Sequence, residues 1–326
     1  MTLLETDAPR AAIDRSLTLE LVRVTERAAL AAAQWRGKGD EKAADHAAVE
    51  AMRAELGRVH VSGRIVIGEG ERDAAPMLYI GEEVGKGTGP EVDIAVDPLE
   101  GTTLCAKNQP DSLCVLAMAE RGGLLNAPDV YMDKVAIGAG YPAGLLDIEA
   151  EPTDTIKELA RLKGVPVHHI TASVLDRPRH ARLIDSLRGA GVAVKLISDG
   201  DIAGIIHAVN TEETGIDIYL GSGGAPEGVL AAAALRAIGG QMQARLILDT
   251  DDKRERARLM GITDPARRYG AADLASGDVL FAATGVTDGS LLSGVKYRRD
   301  SIRTHTVVMR SWSRTVRWIS AEHQRG

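Results

Sequence analysis

The stretch Asp97-Pro98-Leu99-Glu100-Gly101-Thr102-Thr103 puts two carboxylates on one turn, directly after the apolar run Ile94-Ala95-Val96. Pro98 has no N–H with which to continue a ladder, so the strand is expected to stop there. Carboxylates this close repel each other unless a cation lies between them, and a hard ion such as Mg²⁺ takes such oxygens. Gly101 allows close approach of a ligand, and Thr102 and Thr103 add hydroxyls beside it. The same design occurs earlier, where Ile65-Val66-Ile67 ends in Gly68-Glu69-Gly70-Glu71. Two acidic strand ends set among glycines point to a polynuclear metal site.

Other segments supply different chemistry. Gly221-Ser222-Gly223-Gly224-Ala225-Pro226-Glu227-Gly228 is expected as a loop between a strand and a helix, its N–H groups able to cradle an anion. Pro226 and Glu227 also fit an ordinary helix start. Pro226 stands where the dinucleotide fingerprint needs its third glycine, which counts against a nucleotide-binding oxidoreductase. Asp199-Gly200-Asp201 follows a strand, at the end where open α/β sheets bind ligands. Arg177-Pro178-Arg179-His180 sets two cations at a helix start, unfavourable for the dipole and therefore suited to an anion. Tyr131 is either core filler or a sugar or phosphate contact. Asp45 has a plain reading as a carboxylate in a first helical turn. The histidines have no metal-ligand spacing, and His168, His169, His180 and His305 are expected at the surface or behind the site. No Gly-x-Ser-x-Gly is present.

The elements that must position these groups can be read from periodicity. Helices are expected over Asp14–Gln34 and Ala43–Leu56, after a loose leader of residues 1–13. Strands follow at Arg64–Gly68, Val92–Asp97, Leu113–Ala119 and Val130–Ile137, with a helix-like stretch over Met77–Val84. Residues 138–152 read as a passage, giving an N-terminal domain over 14–150 and a C-terminal one over 151–326. In the second half strands and helices alternate, suggesting a largely parallel sheet. Strand-like runs return at Val279–Ala283, Thr304–Met309 and Thr315–Ile319. The fold class is α/β.

Composition sets the outer bounds. The 326 residues carry a net charge of −7, which argues against a nucleic-acid surface. Aromatics make up only 3%, so Ala, Val, Leu and Ile must build the core. The two cysteines, Cys105 and Cys114, form no framework and fit a reduced cytoplasm. The N-terminus lacks an apolar signal region, and no run is long enough to span a bilayer.

Asp97-Pro98-Leu99-Glu100-Gly101-Thr102 resembles the signature of the lithium-sensitive, metal-dependent phosphomonoesterases. Four further segments narrow the resemblance to the class II (GlpX-type) fructose-1,6-bisphosphatases: Ile67–Glu71 with Ala75–Tyr79, Asn126–Met132, Gly223–Gly228 and Ala283–Gly289. The likeness runs from about residue 20 to 320. It implies a two-domain, layered α/β sandwich and a metal-dependent phosphatase acting on the 1-phosphate of fructose 1,6-bisphosphate. Sedoheptulose 1,7-bisphosphate is the alternative substrate, and a non-catalytic sugar-phosphate-binding protein a more distant one. The implied cofactor is Mg²⁺ or Mn²⁺, held by Asp45, Glu69, Asp97, Glu100 and Glu227. Asp97, Glu100 and Thr102 would carry catalysis. Substrate contacts would be Glu100, Gly101, Thr102, Tyr131, Arg177, Pro178, Arg179, Asp199, Gly200, Asp201 and Gly224. By analogy the chain is expected to be a homo-oligomer. In one departure, Glu41 stands where the family often has a lysine, and Lys42 follows it.

Overall fold

The computed structural model describes residues 13–70 and 76–324. Glu71, Ala75 and the leader up to residue 12 lie outside the described residues. The early strands are β1 (Ser62–Ile67), β2 (Glu83–Val84), β3 (Glu91–Glu100), β4 (Leu113–Glu120) and β5 (Tyr131–Ile137). Then come β6 (Thr171–Leu175), β7 (Ala193–Ile197), β8 (Ile218–Gly224), β9 (Gln241–Leu246) and β10 (Tyr269–Gly270). The last four are β11 (Val279–Gly285), β12 (Lys296–Tyr297), β13 (Ser301–Arg310) and β14 (Thr315–Gln324).

Among the described residues these form two mixed sheets. The first has the order β12-β13-β11-β4-β3-β1-β2, with β14 on the free side of β13; the second has the order β10-β9-β5-β8-β6-β7. The chain enters the second sheet at β5 and returns to the first at β11.

Helices Leu17–Ala32 and Glu41–Leu56 cover the outer face of the first sheet, burying Leu21, Ala28, Ala48 and Met52 against Ile94, Leu116 and Leu280. Helices Pro152–Lys163 and Ala181–Gly189 cover the outer face of the second through Ile156, Leu159, Ile184 and Leu187. Helices Asp201–Val209 and Ala225–Ile238 join the core that unites the two inner faces. A helix covered on all sides must be apolar all round, and the run Ala231-Ala232-Ala233-Ala234 is fully buried. Small side chains let both sheets approach it. The scarcity of aromatics thus has a structural counterpart in this layered α/β sandwich.

Three local expectations are corrected. The second sheet is not largely parallel: only β6 with β7 and β6 with β8 run parallel, whereas β5 lies antiparallel between β8 and β9. Met77–Val84 is not helical. Leu78 has φ 54°, its N–H is held by the Glu82 carboxylate, and β2 begins at Glu83. A turn organised on Glu82, which also pairs with Arg53, replaces the helix. The glycine-rich segment is no loop, because β8 continues through Gly224, paired with Tyr131, and the helix begins at Ala225.

The strand through Asp97 departs more subtly from expectation. Its ladder to β4 holds at Asp97 with Val115, shifts, and resumes at Glu100 with Leu113. Pro98 lies inside that break, so it interrupts the strand without ending it.

Candidate active site

A cleft of about 460 Å³ lies where the two sheets meet. Its wall includes Asp45, Glu69, Asp97, Glu100, Gly101, Thr102, Tyr131, Arg177, Arg179, Asp199, Gly200, Asp201, Gly224 and Glu227. Pro178 is the one expected contact outside this lining; it starts the short turn between Arg177 and His180. Lys42 is exposed and does not line the cleft.

The acidic side is built largely by the first sheet. Asp97 and Glu100 stand on either side of the β3 irregularity, and Glu69 follows the end of β1. Asp45 comes from the helix Glu41–Leu56, whose N-cap is Asp40, accepting from the Ala43 N–H at 3.0 Å. Asp45 therefore lies beyond the first turn, and the dipole argument for it fails. Glu227 enters from the first turn of the helix Ala225–Ile238. Glu100 is 5% exposed, and its Oε1 accepts the Ile202 N–H at 2.9 Å, tying the first sheet to the helix Asp201–Val209.

These carboxylates are not satisfied by the protein. Glu100 Oε2 and Glu227 Oε2 are buried without a hydrogen-bond partner. Burial, and then the negative charges of Glu227, Glu69 and Asp45, hold the Asp97 carboxyl well above the usual carboxylate range. Burial does the same to Glu100, reinforced by Asp97 and Asp201 and opposed by the Ile202 N–H. Glu69 is pushed up to about 7 by burial and then by Asp45. Glu227 is pushed up to about 7 by burial and Asp201, against the pull of Lys134. Burial also raises Asp45. The all-oxygen donor set, the orphaned oxygens and the mutual repulsion fit hard divalent cations. The carboxylates line one cleft without converging on one point: among the described residues no three Asp, Glu, His or Cys side chains stand together closely enough to hold an ion.

The opposite side comes from the second sheet and is well bonded. Arg179 donates from Nη2 to the Ser222 carbonyl at 2.8 Å and from Nε to the Ser222 hydroxyl at 3.1 Å. Its guanidinium lies 4.6 Å from the Tyr131 ring centre, a cation–π contact. Tyr131 is 49% exposed, so it is not core filler. Arg177 donates to the Ser198 and Asp176 carbonyls and approaches Asp199 at 3.5 Å.

Two residues that sequence reasoning did not single out complete the site. Lys134 on β5 is 2% exposed and donates both to Asp201 and, at 2.8 Å, to the Gly224 carbonyl. It is the buried cation behind the acidic side. A Cβ at Gly223 would overlap Asp201 Oδ2, and one at Gly224 would overlap the Glu227 carboxylate. The glycines of this segment thus make room for acidic side chains. Asp129 also lines the cleft and adds to the charge around Glu227. The one legible signal for Lys134 was a charged residue, next to Asp133, inside a strand that is otherwise mostly apolar.

The chain matches the family described as bacterial fructose-1,6-bisphosphatase, glpX-encoded, over residues 15–323, and belongs to it. Similar proteins include the "D-fructose 1,6-bisphosphatase class 2/sedoheptulose 1,7-bisphosphatase" of Prochlorococcus marinus (strain NATL1A), 48% identical over 95% of this chain and 97% of that one. The protein of the same name from Parasynechococcus marenigrum (strain WH8102) is 49% identical over the same shares. That of Trichodesmium erythraeum (strain IMS101) is 45% identical over 96% and 98%.

Proposed function

We propose that the chain hydrolyses the 1-phosphate of fructose 1,6-bisphosphate to fructose 6-phosphate, with sedoheptulose 1,7-bisphosphate as a second substrate. The observation that carries this reading is a single cleft holding unsatisfied carboxylates together with two arginines. The names of the relatives favour the second sugar.

Asp45, Glu69, Asp97, Glu100 and Glu227 would hold Mg²⁺ or Mn²⁺, which when bound supplies the Lewis acidity that neutralises phosphoryl charge. Thr102, with a neighbouring carboxylate, orients the attacking water. Arg177 and Arg179 hold the remote phosphate by charge-assisted hydrogen bonds, contributing orientation rather than chemistry. Tyr131, stacked on Arg179, borders the sugar. Gly101, Gly200, Asp201 and Gly224 shape the space between. The Asp97–Thr102 stretch supports a place among the lithium-sensitive phosphomonoesterases. Cys105 and Cys114 are both buried free thiols, which supports a reducing, cytoplasmic compartment. Among the described residues no helix is long and apolar enough to cross a membrane.

Phosphate release from each bisphosphate with Mg²⁺, Mn²⁺ or EDTA tests the reading. Metal-dependent release from either sugar is expected. No release from either under any metal would overturn it.

A further inference from the structure

We infer that His180 is the positioning residue that sets Arg179 for the remote phosphate, an inference that rests on the phosphatase reading above. His180 is 4% exposed and lies behind the cleft rather than in it. Its two ring nitrogens have different partners. The Ser222 N–H donates to Nε2 at 2.8 Å, so Nε2 is the unprotonated nitrogen. Nδ1–H then donates to the Leu175 carbonyl at 2.8 Å. The Ser222 hydroxyl lies 3.1 Å from Nε2 and 3.1 Å from Arg179 Nε. Because the arginine can only donate, the hydroxyl accepts from Arg179 and turns its hydrogen towards His180.

His180 therefore holds Ser222 at its N–H and its hydroxyl, and Ser222 in turn supplies every hydrogen-bond acceptor that Arg179 has among the described residues. Those bonds use Nε and Nη2 and leave Nη1 for a ligand. Gly221 permits the arrangement: it has φ 144°, and a Cβ there would sit 3.1 Å from His180 Nε2. Burial holds His180 below its ordinary range, in keeping with a neutral ring that accepts at Nε2.

The test compares three proteins on two substrates with saturating Mg²⁺. His180→Asn keeps a donor for Leu175 but, being shorter, places no acceptor at the Nε2 position for Ser222. His180→Gln places a carbonyl oxygen near the Nε2 position. Fructose 1,6-bisphosphate has the remote phosphate, and p-nitrophenyl phosphate does not. With a charged hydrogen bond misplaced, His180→Asn should raise KM for the bisphosphate about tenfold, with kcat within about twofold. Its kcat/KM for p-nitrophenyl phosphate should match the parent, and His180→Gln should recover most of the bisphosphate KM. Should His180→Asn fail to fold, Ser222→Ala removes the bridging hydroxyl and should raise the bisphosphate KM about threefold. Unchanged KM in a folded variant, or equal losses on both substrates, would overturn the positioning role. Absence of bisphosphate turnover by the parent would overturn the phosphatase reading and this inference together.

Discussion

The two sides of the cleft are built on opposite principles. The basic side is finished: Arg179 has three hydrogen bonds to Ser222 and a ring beneath it, and Arg177 is tied to two carbonyls. The acidic side is unfinished: Glu100 and Glu227 each bury an unpartnered oxygen, and Asp97 is crowded by three other carboxylates. Leaving buried polar atoms unpaired is costly, and a fold tolerates it where a ligand will complete them. A recognition surface benefits from rigidity in the free protein, whereas a cation site must stay open to its ion.

The most severe way to break the acidic side is Asp97→Asn. Turnover at saturating bisphosphate should fall about a thousandfold, ~4 kcal/mol of transition-state stabilisation. The circular dichroism spectrum should be unchanged, and the melting temperature in EDTA should rise because a repulsive charge is gone.

Lys134→Met separates the two sides through stability rather than rate. It leaves Asp201 buried and unpaired, and breaking a buried pair from one end costs about 3 kcal/mol or more. Urea titration should show a lower midpoint with an unchanged slope.

Arg179→Ala attacks the finished side. The KM for the bisphosphate should rise about thirtyfold, ~2 kcal/mol, with a much smaller change in kcat. Comparable losses in kcat and KM would blur the division proposed here.

The smallest effect is one of pH. Glu69 and Glu227 are both pushed up to about 7 from an ordinary value of 4.5, so near neutrality the folded protein binds more protons than the unfolded chain. Stability of the metal-free protein should be fully present below pH 4.5 as far as these groups are concerned, and should decline as pH rises through about 7. Differential scanning calorimetry in EDTA should record that decline. Saturating Mg²⁺ should remove it, since an ion favours the ionised carboxylates.

The acidic side was also the more legible in sequence. Asp97 follows an apolar run directly, Glu69 follows one after a single glycine and Glu100 stands three residues beyond Asp97, and charges so close to buried strands demand an explanation. Asp45 and Glu227 had ordinary helix-start readings, and only the resemblance to a family marked them. The basic side was legible in its arginines but not in its supports. His180 meets Ser222, and Lys134 meets Asp201, across more than forty intervening residues, separations that no local pattern encodes. The parallel-sheet expectation failed for the same reason: the alternation after residue 150 is local, whereas β5 joins that sheet from earlier in the chain. Reading Gly221–Gly228 as a loop mistook glycines that clear space for Asp201 and Glu227 for glycines that bend the chain.

Calorimetric titration of Mg²⁺ into metal-free protein at pH 7, without substrate, tests the central claim most directly. The parent should bind saturably and release protons to the buffer as its raised carboxylates ionise, and Asp97→Asn should lose most of both signals. Absence of binding by the parent, or undiminished binding by Asp97→Asn, would contradict an acidic side built to be completed by a cation.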